Sequence, residues 1–143
     1  MIKATVDFTD IKRTLNSLTD EMGQTLWYKI ATKVFSRIIR NIQSGTDIDG
    51  KNFKDYSSGY KKKRTKNGLG LLVNLQFTSN MFRSITIDAN RDGFAIFITG
   101  FDNENKAKWT QEQGRVFLDW GKTTIEEFEK ALMKEVENVF KGF

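Results

Sequence analysis

The chain has 143 residues, with neither Cys nor His, and 23 Lys and Arg against 18 Asp and Glu, a formal net charge of +5. Without Cys or His there is no disulfide framework, thiol nucleophile or imidazole general base, and the commonest metal ligands are missing, so only carboxylates, Lys and Tyr remain for chemistry. With 38% hydrophobic, 13% aromatic and 29% charged residues, the composition predicts one globular domain over residues 1–143, not an enzyme, with no cofactor and an acidic partner for its positive charge.

In chain order, Ile2, Ala4, Val6 and Phe8 alternate with polar residues and read as a half-buried strand. The opening residues lack the apolar core of a secretion signal, and no window approaches the ~20 apolar residues of a membrane span, so a chain made without a leader and without a membrane partner is expected. Thr9 or Asp10 is placed to cap a first helix. Its stripe is Ile11, Leu15, Leu18 and Met22, with Gly23 as an interruption. A second helix is predicted from about Gln24 to Ser44, with Trp27, Ile30, Val34, Ile38 and Ile42 on one face and Phe35 and Ile39 widening it. Gly45 supplies the stop.

From residue 45 to 70 the periodicity dissolves into TDIDGKNFKDYSSGYKKKRTKNGLG, and the expectation is a long basic loop. Loops beyond ~12–15 residues without structure of their own are usually functional or disordered. Within it, Lys61, Lys62, Lys63, Arg64 and Lys66, interleaved with Tyr56 and Tyr60, form a candidate surface for a phosphate backbone or an acidic protein face. Asp47, Asp49 and Gly50 resemble part of a calcium loop, but the twelfth position falls on Ser58, which lacks a bidentate carboxylate, so a turn is expected and no metal.

Beyond the stretch LQFTSNMFRSITI (75–87), Ile85, Ile87 and Ala89 alternate, Asn90-Arg91-Asp92-Gly93 makes a turn, and Phe94, Ile96 and Ile98 alternate again: an antiparallel hairpin. Because Ala95 and Phe97 are also apolar, the second strand is expected to be central in its sheet. Residues 104–114 are weakly helical and end at Gly114. Trp109 and Trp120, with Arg115 between them, are candidate interface anchors, since Trp and Arg are enriched at binding hot spots. Thr123 and Thr124 each precede a Glu by three residues, the spacing of a capping box. The last helix follows, its stripe being Ile125, Phe128, Leu132, Val136, Val139 and Phe140, and it is expected to pack on the sheet. Its Glu126, Glu127, Glu129, Glu135 and Glu137 lie mostly off that stripe beside Lys130 and Lys134, as solvated ion pairs rather than catalytic carboxylates. The predicted fold class is α+β, a small antiparallel sheet with helices on one face and a long basic loop.

Several phrases recur in an order that resembles a known family. A helix leads into IDGKNFKDYSSGYKKK. Then come Leu75, Thr78-Ser79, Met81 and Ser84-Ile85, a hairpin, Gln111-Glu112-Gln113-Gly114, and Arg115-Val116-Phe117-Leu118 before a terminal helix. Residues 41–118 resemble the phage virion-morphogenesis and tail-completion proteins, although Ser79 stands in place of the family's Gly, Gln111 of its His and Val116 of its Pro. The resemblance implies a structural virion component at the neck or tail-completion region, made in the host bacterial cytoplasm. It also implies a homo-oligomeric ring of six or twelve copies between the head-tail connector and tail proteins, past which double-stranded DNA travels. An alternative from the residues alone is a basic nucleic-acid-binding module that uses the 56–68 loop.

Overall fold

A computed structural model describes residues 13, 15–73 and 83–141. The strand expected over 2–8, the caps at Thr9 or Asp10, and Thr78, Ser79, Met81 and Phe82 lie outside the described residues. The elements are α1 (Asp20–Gln43), α2 (Ser58–Lys66), β1 (Ile85–Asn90), β2 (Gly93–Ile98), α3 (Phe101–Glu112) and α4 (Lys122–Lys141).

The first break comes earlier than the glycine. A short helical turn at 15–17 ends at Leu18, and α1 starts at Asp20, where the Thr19 hydroxyl accepts the N–H of Met22 at 3.2 Å. Asp20 and Glu21 in the first turn suit the positive end of the helix dipole. Gly23 is therefore inside α1, where a Cβ would meet the Arg91 backbone at 3.2 Å; its missing side chain admits the hairpin turn against the helix. At the other end Gly45 takes φ 73°, as a left-handed stop requires.

β1 and β2 pair antiparallel, with Ile85 opposite Ile98, Ile87 opposite Ile96 and Ala89 opposite Phe94. These six form the inner face, and α1 lies across it. Val34, Ile38 and Ile42 of α1 join Ile85, Ile98, Ala107, Phe53, Val73 and Phe117 in one buried cluster. Asp88, Ala95 and Phe97 are exposed on the outer face, so the helices do lie on one side of the sheet. Among the described residues β2 pairs with β1 alone, and the apolar Ala95 and Phe97 face outwards.

α4 packs chiefly on α1 rather than on the sheet. The two run antiparallel, since Thr123 at the start of α4 meets Asn41 near the end of α1, and Leu132 and Val136 meet Leu26 and Leu18. Phe128 reaches past α1 to Phe94, with ring centroids 6.1 Å apart. The architecture is sheet, then α1, then α4, with α3 beside β2.

The loop and the helix start are fastened to each other by polar groups that hydropathy does not reveal. The expected capping box is replaced by Asp49, whose carboxylate accepts the Lys122 N–H at 2.9 Å, and by Thr124, whose hydroxyl accepts the Gly121 N–H at 2.8 Å. Thr123 turns inwards, donating its hydroxyl to the Ile48 carbonyl at 2.6 Å and accepting from the Asn41 amide at 2.8 Å. Ile48 is so close to the backbone here that a Cβ on Gly121 would stand 2.5 Å from its Cγ1. Gly121→Ala is therefore expected to cost about 1–3 kcal/mol through overpacking, read as a lowered urea midpoint with an unchanged slope. Gly68→Ala would meet no atom within 4 Å, so any cost there must come from its φ of 71°.

Candidate interaction surface

The segment read as a long loop is built rather than loose. Its first part, from Thr46 to Asn52, closes on itself through an antiparallel bridge. The Asp47 carboxylate accepts the N–H groups of Asp49 and Lys51 at 2.9 and 3.0 Å, which is the turn that Asp-Gly signals. Among the described residues no three Asp or Glu gather as a metal site would require.

The second part contains α2. Ser57 caps it by accepting the Tyr60 N–H at 3.3 Å, and the helix holds because Tyr60 and Arg64, four residues apart, share its inner side. Arg64 is only 2% exposed. Its Nε donates to the Gly70 carbonyl at 2.8 Å, so the chain after the helix curls back over it. The guanidinium lies 4.9 Å from the Tyr56 ring centre and 5.9 Å from that of Tyr60, within cation-π range of both. The two Tyr rings meet edge to face at 4.8 Å.

Arg115 approaches Tyr56 as well, at 5.2 Å. It is 8% exposed, and its donors are spread over three acceptors at 2.9 Å: Nε on the Lys54 carbonyl, Nη2 on the Asp55 carbonyl and Nη1 on Gln113 Oε1. Tyr56 thus stands between two guanidinium groups. These positions correct two expectations. Arg64 is not part of the exposed basic surface, and Arg115 is not a surface anchor; a planar, multi-donor cation that is partly dehydrated at low cost is used in both places as an internal brace.

What remains outside is the face of α2 bearing Lys62, Lys63 and Lys66, all exposed. Lys61 is tied down, its ammonium 2.5 Å from the Asp55 carboxylate. That hydrogen bond, helped by the Tyr56 N–H and the charges of Lys61 and Arg115, holds the Asp55 carboxyl below its ordinary value, against the opposing effect of desolvation. Beside this face an open depression of about 640 Å³ is lined by Tyr56, Tyr60, Trp109, Gln113 and Arg115. Trp109 is 62% exposed on its rim. Trp120, 52% exposed, belongs to a different place, stacked edge-on to Phe128 at 5.4 Å and to Phe94 at 6.1 Å. Trp27 is a framework residue, its indole N–H donating to the Arg91 carbonyl at 3.0 Å.

The first and last of the phrases singled out in the sequence meet at one joint. The turn at Asp47–Gly50 sits on the start of α4, and Ile48 also donates its N–H to the Val116 carbonyl at 3.2 Å. The phrase Arg115-Val116-Phe117-Leu118 is an extended strip in which Arg115 grips the backbone of 54–55 and Phe117, 1% exposed, enters the main cluster beside Phe53. Gln111 holds the strip from the other side, its Oε1 accepting the Leu118 N–H at 3.1 Å. Gly114, at φ 85°, makes the turn into it. Sequence reasoning missed Asn41 and Phe53, whose roles in this joint carry no local signature. Comparison with known proteins returned no match to the chain among protein-family models, curated proteins or solved structures.

Proposed function

We propose that the chain is a structural component of a tailed-phage virion, forming a ring in the neck or tail-completion region that joins the DNA-filled head to the tail and acting by shape rather than by catalysis. The observation that carries this reading is the ordered succession of phrases from Asp47 to Leu118. It is supported by their roles in space: the Asp-Gly turn and the Arg-x-Phe-Leu strip, far apart in sequence, brace the same joint through Ile48, Lys54, Asp55 and Val116. A joint of that kind keeps a rigid frame beneath surfaces that meet other copies, and a heterologous contact repeated with a closing rotation yields a ring.

The test is removal of the gene from the phage that carries it, followed by electron microscopy of lysates. Filled heads and finished tails lying apart are expected; joined particles at normal yield would overturn the reading. The exposed lysines sharpen it against the basic-module alternative. If the isolated protein binds short duplexes through Lys62, Lys63 and Lys66, replacing all three with Ala should reduce the slope of log affinity against log salt by about 2–3, since each phosphate contact contributes about 0.9. Duplex binding with that response, together with normal head-tail joining in the gene deletion, would favour the alternative.

A further inference from the structure

α1 carries a row of cations that its surroundings leave largely unanswered. Its acids are confined to the first turn, at Asp20 and Glu21, and from residue 22 to 43 the chain has no Asp or Glu. Lys29, Lys33 and Arg37 follow one another at steps of four and Arg40 comes three later, so all four share one flank of the helix. The contacts of α1 fix where that flank lies. Val34, Ile38 and Ile42 are turned to the sheet and Leu26 and Ile30 to α4. The row occupies the remaining side, with Arg37, seven residues after Ile30, at its α4 edge. Lys29, Lys33 and Arg40 are exposed and Arg37 is half-buried.

Like charges four residues apart repel, and a succession of them works against the helix that carries it. Of the four, only Arg40 meets a carboxylate among the described residues, Glu127 at 3.7 Å. α4, by contrast, mixes its signs and closes Lys141 on Glu137 at 3.2 Å. Arg37 adds an independent observation, because its Nε is enclosed and has no hydrogen-bond partner among the described residues. A cation that is partly dehydrated and uncompensated gains more than a solvated one from charge-assisted hydrogen bonds to an anion.

We propose that this flank of α1 binds the phosphate backbone of double-stranded DNA, without reading its sequence. The row runs ~16 Å along the helix, at ~1.5 Å per residue. Over that length one strand of a duplex presents about five phosphates. Beside the row, on the open side, stand Thr25, Thr32, Ser36 and Gln43, all exposed. Hydroxyl and amide groups of this kind hydrogen-bond phosphate oxygens. The centre of a protein interface is instead depleted in charge and enriched in aromatic groups, which this row does not offer, so a duplex suits it better than an acidic protein. The proposal goes beyond the neck reading and does not rest on it: DNA contact is assigned to α1, not α2, whether or not the chain forms a ring.

The test compares two triple variants of the full chain that remove equal charge: Lys29→Gln, Lys33→Gln and Arg40→Gln on α1, against Lys62→Gln, Lys63→Gln and Lys66→Gln on α2. Binding to two short duplexes of unrelated sequence is followed by fluorescence anisotropy over a range of salt concentrations. The wild type is expected to bind both alike. The α1 variant should lower the slope of log affinity against log salt by about 2.7, at about 0.9 per phosphate contact, and the α2 variant by less than about 0.9. Helical circular dichroism checks that both remain folded. Should the α1 triple unfold, Lys29→Gln with Lys33→Gln alone decides, with an expected loss of about 1.8 in the slope. A wild type that binds no duplex, equal losses from the two variants, or a loss confined to the α2 variant would each overturn the proposal, and the last would favour the basic module at 56–68. Head-tail joining in the gene deletion bears on the neck reading alone.

Discussion

Arg64→Ala should lower the stability of the protein by about 3 kcal/mol, far more than any other substitution in the basic segment. Three losses add together. The truncation leaves a void beneath Tyr56 and Tyr60, of the kind for which large-to-small core changes cost ~2–5 kcal/mol. The Gly70 carbonyl loses a charged donor at 2.8 Å, a hydrogen bond of a kind worth roughly 1.5–3 kcal/mol. The cation-π contacts, worth ~0.5–2 kcal/mol, disappear. Relaxation of 67–70 into the void recovers part of the sum. Arg64→Lys should regain less than about 1 kcal/mol, because an ammonium cannot lie flat between two rings and reach Gly70 at once. Lys62→Ala and Lys66→Ala, on the solvent side, should stay within about 0.5 kcal/mol. Urea unfolding of the four variants decides it: if Arg64→Ala and Lys62→Ala shift the midpoint alike, Arg64 is a surface residue and the brace does not exist.

That contrast also explains which parts of the structure were legible in the sequence. α1 and α4 were, because Ile30, Val34, Ile38 and Ile42, or Phe128, Leu132 and Val136, repeat at helical spacing on aliphatic side chains. The hairpin was, because Asn-Arg-Asp-Gly separates two alternating runs. α2 was not, since its inward stripe is Tyr60 and Arg64, and a hydropathy reading scores a buried guanidinium as exposed. The same bias assigned Arg115 to the surface. An Arg can be dehydrated when its donors meet carbonyls and its face meets a ring, and those partners, Lys54, Asp55 and Gly70, are visible only once the chain has folded. The misplaced start of α1 has a different cause. Gly23 was read as a helix breaker on propensity alone, whereas its loss of helix propensity, about 1 kcal/mol against Ala, is accepted because the turn at Arg91 needs the space.

Of the candidate surface, the sequence located the cations and the tryptophans but not their grouping. Lys62, Lys63 and Lys66 remain together outside, while Trp109 and Trp120 line separate depressions. The basic face and the depression beside Trp120 are therefore distinct surfaces carried on one frame.

Phe117→Ala should be the most damaging single change in that frame, at about 3–5 kcal/mol. The ring is 1% exposed and lies in the cluster formed by Val34, Ile38 and Ile42 of α1, Phe53 of the loop and Ile85 and Ile98 of the sheet. It is the point where three segments distant in sequence are held together. Phe117→Leu, which keeps most of the volume, should cost less than about 1.5 kcal/mol. Because Ile48 bonds the Val116 carbonyl at 3.2 Å and Arg115 grips the backbone of 54–55, a collapse at Phe117 pulls on the loop that carries Phe53. Phe53→Ala and Phe117→Ala should then be non-additive, with a coupling of about 0.5–3 kcal/mol in a double-mutant cycle of urea unfolding. Independent effects would mean that the Arg-x-Phe-Leu strip and the Asp-Gly loop are stabilised separately. In that case their joint appearance in the sequence would need a reason other than the shared joint, and the support that the joint lends to the neck reading would be withdrawn.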